Sequence, residues 1–265
     1  MTPNPLTDSA PDRIIAAGDW HGNAHRAYAV LRHAGIRQVP VVVHLGDFGF
    51  WVPGAETDRY LDTVEKACVE FGVTLLWVDG NHEDHATLNA LPLDEFGVRP
   101  IRDHIVHLPR GFRWNWHGRT WMALGGAHSV DKHLRKPGRS WWPEEVLSPA
   151  EAERAIAGGP VDVIVAHDCP DRVDIPDLAP DGFFPPAQIA AAEEHQRLVG
   201  TVVDATEPGI LLHGHYHVRY HAVRSLPGGG QTAIVGLGAD INSFRDNMLL
   251  LDLTRDGGLA GKALF

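Results

Sequence analysis

The stretch that most constrains this chain is a short apolar run, residues 73–78 (VTLLWV), that breaks into the polar sequence DGNHE at residues 79–83. An apolar run ending in Gly-Asn-His is typical of a buried strand that delivers polar side chains to one edge of a sheet. The Asn81 amide oxygen can ligate a hard cation, and His82 can hold or donate a proton. The stretch therefore predicts a chemically active sheet edge.

The first part of the chain alternates strand and helix patterns. Residues 13–18 and 41–45 have the composition of buried strands, and residues 24–34 and 56–71 have helical spacing that stops at a Gly. With the strand at 73–78, this alternation indicates an α/β fold. It predicts a parallel sheet with right-handed crossovers and with sites at the carboxyl ends of its strands.

The second part of the chain has a different pattern. Residues 105–124 predict three short strands in an antiparallel stretch, whereas residues 125–146 lack clear periodicity. The remaining expected elements are a helix from the Ser148 N-cap to about Ala157, a strand over 161–166, a loop over 169–186, a helix over 187–198, a strand over 209–212, and final strands of a second sheet at 219–223, 232–237 and 247–253.

Length and composition narrow the class of protein. We expect a single domain over residues 13–265 after a flexible N-terminal tail over residues 1–12. No apolar run is long enough to span a bilayer. The two cysteines, Cys68 and Cys169, lie far apart, which argues against a disulfide framework and predicts a cytoplasmic protein. A formal charge of -11 argues against nonspecific binding to duplex DNA.

Five predicted strands end in residues that metal ions accept as ligands. These residues are Asp19 and His21, Asp47, Asn81 and His82, His167, and His215 and His217. Such strand ends converge on one edge of a sheet, and this set of side chains suits Mn, Fe, Zn or Mg. A shared carboxylate could bridge two cations roughly 3.5–4 Å apart, which would bind phosphate oxygens and make a bound water nucleophilic.

Each of these residues alone is more often a turn, cap or core residue than a ligand. We assign six other histidines to the core or the surface for that reason: His33, His44, His107, His117, His195 and His221. Five strand ends of matching chemistry, in order along the chain, favour a two-metal centre.

In these motifs the sequence resembles the calcineurin-like metallophosphoesterases. The matching residues are Asp19-x-His21, Gly46-Asp47, Gly80-Asn81-His82-Glu83, His167 and Gly214-His215-x-His217. The resemblance implies a four-layer αββα sandwich in which two mixed sheets are flanked by helices.

The resemblance also implies a ligand set and a mechanism. It implies a first metal held by Asp19, His21, Asp47 and His217, and a second held by Asp47, Asn81, His167 and His215. Asp47 would bridge the two metals and belong to the catalytic residues. A metal-bridging hydroxide would attack phosphorus in line, and His82 would contact the phosphate and protonate the leaving oxygen. We expect Mn first, with Fe, Zn, Mg or Ni as alternatives.

One departure from the family pattern concerns the residues that follow Asp47. The protein-phosphatase branch carries an acid and an Arg there, in the pattern GDxxDRG, whereas residues 46–51 are GDFGFW. The missing residues argue against protein dephosphorylation. Glu83, Asp84 or Asp58 are candidates for the acid that would orient His82.

Aromatic and basic residues near the motifs indicate a substrate class. Aromatic side chains at Phe48, Phe50, Trp51, Trp141 and Trp142 could stack bases, with core packing as the alternative. Lys132, Arg135 and Arg139 could bind phosphates beside Asn81 and His82, with a solvated loop as the alternative. We expect a phosphomonoesterase or phosphodiesterase acting on a nucleotide or nucleic-acid-end phosphate. The alternative functions are a catalytically silent scaffold of the same fold and a nuclease acting on nucleic acid ends.

Overall fold

The structure, a computed structural model, describes residue 6 and residues 10–254. The strands in this part of the chain are β1 (Arg13–Ala17), β2 (Val41–His44), β3 (Thr74–Trp77), β4 (Arg99–Pro100), β5 (Ile105–His107), β6 (Arg113–Trp116), β7 (Arg119–Leu124), β8 (Val163–Ala166), β9 (Ile210–His213), β10 (Tyr220–Ser225), β11 (Gln231–Gly236) and β12 (Met248–Asp252). The α-helices are α1 (Ala24–Ile36), α2 (Ala55–Phe71), α3 (His85–Ala90), α4 (Pro149–Ala157) and α5 (Pro186–Thr206).

The predicted tail over residues 1–12 lies outside the described residues, except for residue 6 and residues 10–12. The single domain over residues 13–265 stays a prediction. Among the described helices, none is both long and apolar enough to cross a bilayer.

Two six-stranded sheets pack face to face between two layers of helices. The strand order is β12-β1-β2-β3-β5-β4 in the first sheet and β10-β11-β9-β8-β7-β6 in the second. Helices α1 and α2 pack on the outer face of the first sheet, and α4 and α5 pack on the outer face of the second. Both sheets mix parallel and antiparallel pairs. The predicted four-layer αββα sandwich is confirmed.

The continuous apolar runs arise because the inner strands are buried on both faces. In β2, Val41 and Val43 belong to the core between the sheets, while Val42 packs in the core beneath α1 and α2. A strand covered on both faces carries apolar residues at every position, without polar alternation.

The antiparallel stretch predicted over residues 105–124 is wrong in its first part. β5 pairs in parallel with β3 in the first sheet, and only β6 and β7 form an antiparallel hairpin, in the second sheet. The chain crosses between the sheets at Gly111, where φ is 85°, a conformation that favours glycine. The turn residues therefore mark a crossover between layers at this point.

The last segment, predicted as a strand of the second sheet, lies in the first sheet instead. β12 pairs antiparallel with β1, while β10 and β11 are in the second sheet as predicted. Without β12, β1 would be an edge strand with unpaired backbone groups. Leu249 and Leu251 of β12 also fill the core between the sheets.

The helix predicted over residues 187–198 continues to Thr206, so α5 has 21 residues. It runs through Gly200, where a Cβ atom would lie 2.0 Å from Asp171 Oδ1. The buried Arg224 donates to the Gly200 carbonyl group at 3.2 Å and to Asp171 at 2.9 Å. These contacts outweigh the low helix propensity of glycine.

Candidate metal centre

The predicted ligands meet at one edge of the two sheets. β1, β2 and β3 are parallel neighbours in the first sheet, and β8 and β9 are parallel neighbours in the second. The side chains that follow their carboxyl ends are Asp19 and His21 after β1, Asp47 after β2, Asn81 and His82 after β3, His167 after β8, and His215 and His217 after β9.

Asp47 lies at the centre of this group. Its Oδ2 atom is 3.4 Å from His21 Nε2 and 3.7 Å from His82 Nε2. Its Oδ1 atom is 3.5 Å from His167 Nε2. The residue is 1% exposed, so one buried carboxylate faces imidazoles from both sheets.

Asp19 is the second buried carboxylate of the group. Its Oδ2 atom is 3.1 Å from His217 Nε2 and 3.9 Å from His21 Nε2. One ligand atom each from Asp19, His21 and His217 lies within 4.8 Å of the others, and the same holds for Asp19, Asp47 and His167. These two sets of donors therefore share the Asp19 carboxylate.

Asn81 and His215 both lie beside His167. Asn81 Oδ1 is 3.1 Å from His167 Nε2. The His215 and His167 ring centroids are 5.0 Å apart, and His215 belongs to none of the groups of described ligand atoms that lie within 4.8 Å of one another. The structure thus brings His215 to the cluster with a looser contact than the other residues make.

The buried carboxylates change the pKa of the imidazoles around them. Burial opposes charging of His167, but the Asp47 carboxylate outweighs burial and raises the pKa of His167 to about 10. Burial also opposes charging of His21, but the Asp47 carboxylate outweighs it and raises the pKa of His21 to about 10. Burial likewise opposes ionisation of Asp47, but the facing imidazoles of His82 and His167 hold its pKa well below the usual range. The cluster attracts positive charge.

The chemistry of the donor atoms fits divalent cations. His167 Nδ1 lies 2.7 Å from the Leu45 carbonyl oxygen, which can only accept, so Nδ1 carries the hydrogen and Nε2 faces Asp47 and Asn81. His21 Nδ1 is 3.1 Å from Asp240 Oδ1, which leaves His21 Nε2 facing the carboxylates. Nitrogen and oxygen donors that converge in this way suit a bound cation, which would take the place of the protons on these imidazoles.

The Asn81 amide is oriented by a pair of residues that the sequence does not indicate. Asn81 Nδ2 donates to Ser129 Oγ at 2.9 Å, and Ser129 Oγ donates to Glu145 Oε2 at 2.6 Å. Because the only hydroxyl hydrogen of Ser129 points to Glu145, Ser129 Oγ must accept from Asn81. The Asn81 oxygen must then face His167.

Two further carboxylates that the sequence did not indicate contact histidines: Asp240 contacts His21 of the cluster, and Asp168 contacts His195 of α5. Asp168 Oδ2 lies 2.6 Å from His195 Nδ1, and Asp168 Oδ1 accepts from the Tyr216 hydroxyl group at 2.8 Å. The position of Asp168 directly after His167 was the only sequence signal for this network.

His82 faces an arginine. Arg135 Nη2 lies 2.6 Å from His82 Nε2, and Arg135 Nη1 lies 3.1 Å from His82 Nδ1. A neutral imidazole has one accepting nitrogen, so one of these contacts is a hydrogen bond. Burial lowers the pKa of His82 and Arg135 adds to this effect, while Asp47 opposes it. Arg135 is itself anchored by Asp131 Oδ1 at 2.7 Å.

The acids proposed to orient His82 are engaged elsewhere. Glu83 accepts two backbone N–H groups, and Asp84 caps α3. Asp58 is a surface partner of Arg102 at 3.7 Å. The structure places none of the three at His82.

The residues predicted to contact substrate are only partly gathered at the site. Asn81, His82 and Arg135 line the cavity above the cluster, whereas Arg139 is exposed and does not line it.

The aromatic residues predicted to stack bases also lie away from the cavity. Phe48 and Phe50 are buried against Trp77, and Trp142 is buried. Core packing, the alternative interpretation, is the correct one for these side chains.

Four of the predicted ligands have a left-handed backbone. The φ angles are 45° at His21, 54° at Asp47, 68° at His215 and 56° at His217. Residues other than glycine rarely adopt this conformation, and such residues cluster at functional sites.

A model of a protein family described as calcineurin-like phosphoesterase matches residues 12–219. A cAMP/cGMP dual specificity phosphodiesterase from Mycobacterium tuberculosis is 24% identical over 212 residues. The match covers 79% of this chain and 58% of that relative, so the chain spans less than two thirds of the relative's length.

Solved structures share the fold at low sequence identity. A dimetal phosphatase from Danio rerio has a TM-score of 0.53 and 16% identity, with 93% of this chain and 94% of that chain covered. The protein TT1561 of Thermus thermophilus has a TM-score of 0.52 and 12% identity, with 92% of this chain and 95% of that chain covered.

Proposed function

Because this chain belongs to the calcineurin-like phosphoesterase family, we propose that it hydrolyses phosphoesters at the cluster around Asp47. The observation that carries the proposal is the position of Asp47. Its buried carboxylate lies within 3.5 Å of His21 from the first sheet and of His167 from the second. A carboxylate shared in this way suits two cations held side by side.

Two divalent cations would be held by the predicted ligands. Asp19, His21, Asp47 and His217 would hold one, and Asp47, Asn81, His167 and His215 would hold the other. Mn is expected first, with Fe, Zn, Mg or Ni as alternatives. When bound, the cations would supply positive charge to the phosphate oxygens and a more acidic water. The chain orients the imidazoles for this task through Asp240 and the Leu45 carbonyl group.

His82 and Arg135 would act on the substrate itself. Arg135 would bind a phosphate oxygen, in place of the Arg absent from residues 46–51. A bound phosphate would draw the Arg135 donors away from the His82 ring. That movement would raise the proton affinity of His82 and allow it to protonate the leaving oxygen.

A nucleotide substrate is supported by the cyclic-nucleotide activity named for the Mycobacterium tuberculosis relative. The silent scaffold remains the second candidate and the nuclease the third. A cytoplasmic location is part of the proposal, and the two cysteines, Cys68 and Cys169, which are both free and buried, support it.

The proposal is tested with purified protein, Mn and chromogenic phosphomonoesters and phosphodiesters. Asp47→Asn is the control, because it keeps the shape of the side chain and removes its charge. Turnover that needs Mn and disappears in Asp47→Asn would support the proposal. No turnover of any ester by protein that holds two metals would contradict it and favour the scaffold. Cleavage of single-stranded or duplex ends on a gel would favour the nuclease.

A further inference from the structure

The cavity above the cluster has two unlike sides. It encloses about 880 Å³, within the usual range of small-molecule sites. Its floor contains Asp47, Asn81, His82, His215 and His217. Its far side consists of the cavity-lining residues between 177 and 193, termed the outer wall.

The outer wall is largely apolar and open. Its apolar members include Leu178, Pro180, Phe184, Pro186, Ile189 and Ala192. Leu178 is 56% exposed and Ile189 is 38% exposed. A ligand that covers apolar side chains at the mouth of a cavity removes them from water, and this burial stabilises the complex. The outer wall therefore suits the apolar part of a substrate.

The charge of the outer wall is negative. The three carboxylates on it are Asp177, Asp181 and Glu193. Arg135 is the only Arg or Lys among the described residues that line the cavity, and Asp131 pairs with it at 2.7 Å. Glu193 lies 3.9 Å from Arg197, but an exposed pair of this kind compensates little. The N-terminus of α5 adds roughly half a positive charge, less than the three carboxylates carry.

We propose that the outer wall selects phosphoesters whose leaving group presents an apolar ring face and carries no negative charge, such as an aryl or nucleoside group joined through a single phosphate. The inference rests on the proposed function, because it concerns the substrate of the same site. A further phosphate or carboxylate on the leaving group would lie against Asp177 and Asp181, and like charges repel. Nucleoside triphosphates and nucleic acid ends are therefore expected to be poor substrates.

Two nonhydrolysable probes isolate the effect of charge: phenylphosphonate and para-carboxyphenylphosphonate. Calorimetry with Mn-loaded protein gives the Kd of each without any need for turnover. We expect wild-type protein to bind phenylphosphonate about tenfold more tightly. In Asp177→Asn/Asp181→Lys this ratio should fall below about threefold. Asn is used at Asp177 because its φ is 57°, a conformation that Asn tolerates.

Asp174→Lys is the matched control for charge. Asp174 is an exposed carboxylate of the same loop, and it does not line the cavity. This variant should keep the wild-type ratio. Equal affinity of wild-type protein for the two probes, an unchanged ratio in the double variant, or an equal change in Asp174→Lys would each overturn the proposal.

A second pair of probes, phenylphosphonate and methylphosphonate, isolates apolar contact. Leu178→Ser should reduce the preference for the phenyl group by roughly fivefold, because less apolar surface is buried. Leu93→Ser is the control, since Leu93 is 53% exposed and lies off the cavity lining. A preference kept in Leu178→Ser, or lost equally in Leu93→Ser, would count against the outer wall.

These affinities separate the two proposals. Selective binding without turnover of any ester would remove the proposed function and keep the outer wall. Turnover with equal affinity for all three phosphonates would keep the function and overturn the outer wall.

Discussion

In the cluster at the floor of the cavity, Asp19 and Asp47 are buried, and the imidazoles of His21, His167 and His217 face these carboxylates. On the outer wall, Leu178 and Asp177 are exposed at the surface of a loop. The floor is tied to both sheets, so a change there disturbs the chemistry. The loop that carries Asp177 and Leu178 belongs to neither sheet. The two proposals thus assign the reaction and the choice of substrate to separate regions of one cavity.

Substitution of Asp47 should give the largest difference in metal content between a change at the floor and a change on the outer wall. We expect Asp47→Ala to lose both metals and all turnover, because the imidazoles from the two sheets lose their shared carboxylate. Elemental analysis after dialysis measures the metal content. Asp177→Asn, on the outer wall, should keep both metals. Full occupancy in Asp47→Ala would show that this carboxylate does not bridge.

His82 belongs to the floor but not to the expected ligands. His82→Ala should keep its metals and lose turnover by about 10²–10⁴-fold, because the leaving oxygen lacks a proton donor. The loss should be larger for esters with poor leaving groups, which steady-state kinetics on an ester series would reveal. Equal losses across the series would exclude His82 from proton transfer.

Ser129 tests whether the floor depends on its buried supports. Ser129→Ala removes the acceptor that orients the Asn81 amide, and it should weaken metal binding by about 10–100-fold. Competition with a chelator measures the affinity. Ser225→Ala, at the exposed end of β10, is the matched control. An affinity equal to wild type would show that Asn81 needs no such support.

The smallest effect concerns stability at acid pH, which should come from buried groups near the floor. His44 packs against Trp20 and Phe48, and neither of its ring nitrogens has a hydrogen-bond partner within the described part of the chain. Burial lowers the pKa of His44 from 6.5 to about 3. The unfolded chain therefore takes up this proton at a higher pH than the folded chain does.

The contribution of neutral His44 to the free energy of unfolding is complete above pH 6.5 and is lost as the pH falls from 6.5 towards 3. The loss is about 1.4 kcal/mol per pH unit. Thermal melting between pH 7 and pH 5 should show a shallower decline in His44→Leu than in wild-type protein. Parallel declines would contradict this assignment.

The sequence indicated the candidate ligands, which the structure brings together, but not the residues that orient them. Asp19, Asp47 and Asn81 each follow a strand, and the parallel order of the strands predicts that their ends meet. The orienting contacts join residues 48 positions apart for Asn81 and Ser129, and 53 positions apart for His82 and Arg135. Local periodicity carries no information about such pairings, and the segment that supplies both partners has no clear period.

The same limit applies to the fold. Alternating patterns found β1 to β3 and the helices between them, because each pattern is local. β12 pairs with the edge of β1 that would otherwise be unpaired. α5 continues past Gly200, where Arg224 donates to the Gly200 carbonyl group. Both depend on parts of the chain that are remote in sequence.

The left-handed backbone at His21, Asp47, His215 and His217 sets folding against activity. Each of these residues costs on the order of 1–2 kcal/mol relative to a conformation that it prefers. Under selection for folding alone, mutation would carry these positions towards glycine, and the resulting chains would gain heat resistance as they lost their chemistry. A related chain that had become a silent scaffold should therefore carry glycine at some of these positions. This chain has histidine or aspartate at all four.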